Sequence, residues 1–263
     1  MPANLSASHT AWAEFLWRIE RNQIDLALLN EMPFGPWIAS EAAFDSNLAW
    51  ASIEAHEAAL PSLQQLRTAV LGSRPIQGKS KLCNEAFLLA DGVYQPLHHK
   101  HYFPHEAGFF EESWFVAERP GFDIIDFRGV RIGVLLCTEL MFTEWARHYR
   151  RLGAHVIMNP RASGKSMRHW AAAARMAAVV SGCYVLSSNR VSNGSDSWPH
   201  FGGHGFVYSP LGELLNETNR STPLISVNID LALVEEAQRS YPCYVRELPG
   251  ACQSDRPRPI SLG

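Results

Sequence analysis

The chain has 263 residues, 46% of them hydrophobic, with 23 basic and 26 acidic side chains, a formal net charge of −3 and a pI near 6.4. This is enough apolar content for one sizeable core, and the balanced charge excludes the electrostatic footprint of a nucleic-acid or anionic-membrane binder. Five cysteines, an odd number without paired spacing, argue against a disulfide framework and fit a reducing cytosol; no apolar run approaches the ~20 residues of a membrane-spanning helix.

The first nine residues, Met1-Pro2-Ala3-Asn4-Leu5-Ser6-Ala7-Ser8-His9, lack the charged-then-apolar pattern of a secretory signal. Trp12, Phe15, Leu16 and Ile19 then recur on one helical face over residues 11–21, after the N-capping residue type Thr10. The run Asp25-Leu26-Ala27-Leu28-Leu29-Asn30-Glu31 reads as a buried strand that ends in an acid and is stopped by Pro33. Residues 45–71 are predicted to be mostly helical, with Pro61 opening a second helix. Strands follow near 69–73, 84–90 and 92–100, the last two joined by the tight-turn pair Asp91-Gly92. The third of these delivers Lys100 into an aromatic loop stopped by Pro104. Residues 122–127 and 130–136 form another hairpin around Arg128-Gly129, and a helix from about 142 to 152 ends at Gly153. The remainder alternates in the same way up to a proline-containing tail over 240–263. No repeat or linker interrupts the pattern, so one domain is expected over 1–263, with its core at about 11–248.

The second hairpin strand, Arg131-Ile132-Gly133-Val134-Leu135-Leu136, runs into Cys137-Thr138-Glu139 and then a helix. A cysteine at a strand-to-helix turn is held rigidly beside backbone N–H groups free to face a developing negative charge. A thiol near its ordinary pKa needs a base or a positive charge beside it to react at neutral pH. Glu31 is the candidate base, Lys100 the candidate positive group, and the N–H of Thr138 a candidate oxyanion donor. Each of the three side chains ends a predicted strand, where open α/β sheets place their chemistry. His98, His99, His101 and His105 also cluster, but adjacent strand residues face opposite ways and no second ligand cluster with zinc-like spacing exists, so no metal site is expected.

Glu31, Lys100 and Cys137 in this order resemble the nitrilase superfamily of carbon–nitrogen hydrolases, whose catalytic set is Glu, Lys and Cys. The resemblance continues through the strand around Val156-Ile157-Met158-Asn159-Pro160, the helix over 170–180, the strand over 183–190, the segment from Phe201 to Glu213 with its Pro-x-Gly-Glu turn, and a last sheet strand over 223–230. It implies a four-layer α-β-β-α sandwich, hydrolysis through a cysteine thioester, no metal or organic cofactor, a small-molecule amide substrate, and assembly as a homodimer or larger homo-oligomer; the cysteine usage and the lack of a signal pattern lead to the expectation of a cytoplasmic protein. Relatives often carry a second glutamate after the lysine. Glu106 is the choice here, with Glu111 and Glu112 as competitors.

Two departures stand out. The family's usual opening strand has no counterpart in residues 1–9, so the sheet is expected to lack its first strand. Thr138 and Glu139 follow the cysteine where many relatives carry an aromatic residue and an acid; nitrile hydrolases typically have tryptophan there, which points away from nitriles. Arg161 and Lys165 lie near where relatives build the substrate pocket and offer charges for a substrate carboxylate. The leading expectation is an amidase acting on a small linear amide or carbamoyl compound. The alternatives are a nitrilase, or a catalytically silent binding or assembly protein on the same scaffold.

Overall fold

The computed structural model describes residues 10–192 and 198–246; the expectation about the opening strand, the end of the tail and Cys252 lie outside the described residues. Two sheets form the framework. The first orders β1 (Leu26–Leu28), β2 (Ala69–Gln77), β3 (Leu82–Ala90) and β4 (Val93–His99), with β1 parallel to β2 and the rest antiparallel. The second, across the molecule, runs β10 (Leu214–Glu217), β9 (Phe206–Tyr208), β8 (Tyr184–Asn189), β7 (Val156–Arg161), β6 (Val130–Val134) and β5 (Ile124–Phe127). Its centre, β6-β7-β8, is parallel and buried, as the unbroken apolar runs there require.

Three apolar cores separate four layers. α1 (Thr10–Arg21) and α2 (Ser46–Gln64) lay Trp12, Phe15, Ile19, Ala59 and Leu63 on Val70, Phe87 and Leu89 of the first sheet. Between the sheets, Leu71, Ala86 and Leu88 meet Ile132, Val134, Val156, Met158 and Tyr184. On the far side, α4 (Thr143–Arg151) and α5 (Arg168–Ser181) bury Ala146, Tyr149, Ala174, Ala177 and Ala178 against Ile157 and Val185. This is the α-β-β-α sandwich. The hairpin signals translate into left-handed turn residues: Asp91 and Gly92 at φ +51° and +75°, Arg128 and Gly129 at +53° and +83°. Among the described residues, no helix is long and apolar enough to cross a membrane.

Two expectations are corrected. α2 is one helix carrying Pro61 inside it, N-capped by the Asp45 carboxylate, which accepts the N–H groups of Asn47 and Leu48. Pro61 and Glu57, whose carbonyl the missing N–H would have bonded, are both exposed, so water can serve that carbonyl. Residues 223–230 pair with no strand among the described residues. The segment is held by its side chains: Leu224 packs with the α1 core and Ile229 with the core between the sheets. Asp230 then caps α6 (Leu231–Arg239) by accepting the N–H of Ala232, a helix absent from the sequence reading, as was β10.

One side chain secures the strand that leads to Cys137. The buried Tyr149 hydroxyl donates to the Val134 carbonyl at 2.6 Å and accepts the Val134 N–H at 3.1 Å, where β6 has run past the end of β5. Gly133 makes room for the ring, since a Cβ there would lie 2.6 Å from it. Tyr149→Phe strands both backbone groups and is expected to cost about 1–3 kcal/mol in denaturant-unfolding measurements; a loss below about 0.5 kcal/mol would show that the pair is served in another way.

Candidate active site

Glu31 follows β1 and is fully buried. Its turn is shaped by Met32 at φ +42°, whose N–H donates to Ser73 Oγ, and by the buried Arg190 guanidinium, which donates to the carbonyls of Met32 and Gly35. The Glu31 N–H reaches the Arg161 carbonyl of the opposite sheet. Glu31 Oε1 accepts from Asn84 Nδ2 and from Lys100 Nζ, each at 2.8 Å, while Oε2 has no partner among the described residues.

Lys100 extends β4 by one residue, donating its N–H to the Asn84 carbonyl. The ammonium is fully buried between two carboxylates, 2.8 Å from Glu31 Oε1 and 2.5 Å from Glu111 Oε2. Burial alone would lower its proton affinity, but Glu111 and Glu31 outweigh this and hold it well above the ordinary lysine value. Glu111 opens the one-turn helix α3 (Glu111–Trp114). Burial pushes its carboxyl up, to about 8, against the pull of Lys100 and with the push of Glu31.

The expectation for Glu106 is therefore corrected. Glu106 and Phe109 exchange backbone hydrogen bonds in a tight turn, with Gly108 at φ +83°, and the turn leaves the Glu106 side chain exposed. Glu111 is the acid that reaches the lysine, and Glu112 points to solvent. A signal for this was present: Glu111 and Trp114, three apart, share a helix face, and both are buried.

Cys137 begins a 3₁₀ turn, Cys137–Met141, at φ +48°. That left-handed conformation is held by Asn159 of β7, whose side-chain amide donates to the carbonyls of Leu135 and Cys137. The thiol lies 3.7 Å from the Ala162 carbonyl. Burial drives its proton affinity far up; Glu31 adds to the rise and Lys100 opposes it. The thiol of the free protein is thus protonated at neutral pH, with both charged groups near enough to act on it. The N–H of the half-buried Thr138 carries no hydrogen bond among those described, as expected at the start of a helical turn. A cavity of about 570 Å³ opens beside Thr138, walled by Tyr102, Phe103 and Phe142, with Glu106 and Glu112 at its rim.

The remaining expectations fall on residues with other work. Arg161 is sealed: Nε and Nη1 donate to the hydroxyls of Ser187 and Ser163, Nη2 donates to the His204 carbonyl, and Trp170 and Phe206 cover its faces. It has no free edge for a substrate carboxylate, and Lys165 is exposed. His98 and His99 are buried against Glu139 and Glu85, and His105 is exposed. Sequence reasoning missed Asn84, Arg190 and Glu139.

Two sheets back to back with an acid, a lysine and a cysteine buried where strands end define a carbon–nitrogen hydrolase scaffold. The comparisons agree: the carbon-nitrogen hydrolase family model matches residues 2–239, and the chain belongs to that family. The solved structure of a carbon-nitrogen hydrolase from Helicobacter pylori G27 superposes with a TM-score of 0.78 over 92% of each chain, at 22% identity. Among curated relatives, a hydrolase encoded in the agr operon of Staphylococcus aureus is 29% identical over 53% of this chain, and omega-amidase NIT2 of Xenopus tropicalis is 26% identical over 65%. The matched parts span 51% and 64% of those two relatives.

Proposed function

We propose that this protein hydrolyses the C–N bond of a small linear amide or carbamoyl compound through a thioester on Cys137. The observation that carries the reading is the buried set Glu31–Lys100–Glu111, which acts electrostatically on the thiol of Cys137 at the end of the neighbouring sheet's strand. The similarity to an omega-amidase supports an amide over a nitrile, as does threonine in place of tryptophan after the cysteine.

Because the thiol starts protonated, attack requires its proton to be taken. Cys137 Sγ bonds to the carbonyl carbon as its proton passes to Glu31, whose Oε2 is unpartnered and able to receive it. Lys100 and the Thr138 N–H take the developing oxyanion. The C–N bond then breaks, the proton on Glu31 moves to the departing nitrogen, and ammonia or an amine leaves. Water attacks the thioester, giving its proton to Glu31; the carboxylic acid departs, and the proton returns to sulfur. Glu111 keeps Lys100 charged and aimed between the sheets. Every proton taken is returned, so no cofactor is required.

The test is ammonia release from a panel of short amides, carbamoyl amines and nitriles by the native chain and by Cys137→Ala. Turnover of an amide or carbamoyl compound that vanishes in the variant is expected. Release that survives in Cys137→Ala removes the cysteine from the chemistry, and a preference for nitriles reverses the substrate assignment.

A further inference from the structure

Glu139 is fully buried two residues past Cys137. Oε2 accepts the Leu136 N–H at 2.7 Å and Oε1 the His101 N–H at 2.7 Å. Oε2 also lies 2.7 Å from His98 Nε2. Since His98 Nδ1 accepts the Phe122 N–H at 3.3 Å, the ring proton sits on Nε2 and donates to Glu139. Leu136 immediately precedes the thiol, while His98 and His101 flank Lys100. One carboxylate therefore ties the backbone before the cysteine to the chain on both sides of the lysine. No lysine or arginine nitrogen lies within ion-pair distance of it among the described residues. A buried carboxylate costs several kcal/mol relative to apolar packing, so this one is poorly explained as filler. Gly121 is part of the arrangement, because a Cβ there would lie 2.2 Å from His98 Nδ1.

We propose that Glu139 is a positioning residue that fixes the placement of the Lys100 ammonium relative to the Cys137 thiol. The inference rests on the reading of Cys137 as nucleophile. Lys100 comes from the first sheet and Cys137 from the second, and Glu139 is the side chain that accepts hydrogen bonds from both segments. If the clamp loosens, the ammonium moves away and its pull on the thiol proton weakens. The titratable and charged groups facing the thiol are Glu31, Lys100, Glu111 and Arg161; the titratable groups facing Glu139 are His98, His101, Glu111 and Tyr149.

The test uses the full-length protein and Glu139→Gln, in which an amide NH₂ must face at least one of the three N–H donors. With the substrate the native enzyme cleaves, kcat is expected to fall about ten- to a hundredfold, the range of sub-ångström to ångström misplacement, with KM within about threefold. The pH midpoint for iodoacetamide alkylation of Cys137 should move up, while the labelling of Cys83, Cys183 and Cys243 stays put. His98→Asn, which leaves the carboxylate in place, should move both readouts the same way by less. A folded Glu139→Gln with the native alkylation profile overturns the proposal, even if kcat falls. If Glu139→Gln does not fold, an unmoved profile in His98→Asn overturns it. Failure of both to fold overturns it as well, making Glu139 a stability residue. A Cys137→Ala variant that turns over the same substrate at the native rate counts against the nucleophile reading, a separate result.

Discussion

Glu31→Gln is expected to lower turnover by about 10²- to 10⁴-fold, the usual contribution of a positioned general base, and at the same time to let the Cys137 thiol ionise at lower pH. The two effects run in opposite directions because Glu31 does two things. As a base it accepts the thiol proton during attack. As a fixed negative charge it raises the thiol's proton affinity, second only to burial. Glutamine keeps the shape and the contacts of Oε1 with Asn84 and Lys100 while removing both roles. Rates of alkylation against pH, set beside steady-state turnover, separate them. Turnover within threefold of native removes Glu31 as the base. An alkylation midpoint that moves up would show that the carboxylate's charge is not what the thiol feels.

Lys100→Met is the second large effect, and it reaches stability as well as activity. The substitution leaves the carboxylates of Glu31 and Glu111 buried without the ammonium between them. Breaking a buried ion pair from one side typically costs about 3–5 kcal/mol, or roughly 6–20 °C in Tm for a chain of this size. The pH dependence has a definite sign. Burial already pushes the Glu111 carboxyl up, to about 8, and losing Lys100, which pulls it down, raises it further. A carboxyl whose folded pKa lies above its unfolded value binds its proton more readily in the folded state, so the destabilisation is largest above the folded pKa. It shrinks as pH falls towards the unfolded value. Melting curves of the variant and native protein at about pH 5.5 and about pH 8.5, one below and one above that pKa, should show a smaller gap at the acidic end. An equal gap at both ends would mean that Glu111 does not titrate there.

Much of the site was legible because its parts end strands, and strand ends are marked by where apolar runs stop: Leu29 before Glu31, Leu136 before Cys137. What those runs do not carry is register. Counting back from Asp91-Gly92 through a regular hairpin puts Cys83 opposite Lys100. The structure shifts by one residue between Ala86 and Phe87, so that Glu85 faces His99 and Asn84 faces Lys100. Pro96 in β4 marks an edge strand or a bulge without saying which, yet the shift beside it is what gives Lys100 and Glu31 a shared amide partner. The choice of Glu106 failed for a similar reason. Proximity to Lys100 along the chain means little when the intervening loop turns back on itself at Gly108. The role of Glu139 escaped notice because it lies in three contacts, two with residues at and just past the end of β4, at separations of 41 and 38 residues. A single sequence has no way to express such a meeting.

The three-residue strand β1 has a consequence for how this protein should lose activity. It is an edge of its sheet among the described residues, pairing with β2 through Leu26, Ala27 and Leu28, and Glu31 hangs from its end. Cys137, by contrast, follows a strand flanked on both sides. Local openings draw on the least-connected segments first, at free energies well below that of global unfolding. The enzyme therefore carries a built-in fuse: mild denaturant should detach the acid while the sandwich stands, and amide hydrogens of Leu26 and Leu28 should exchange ahead of those in β7.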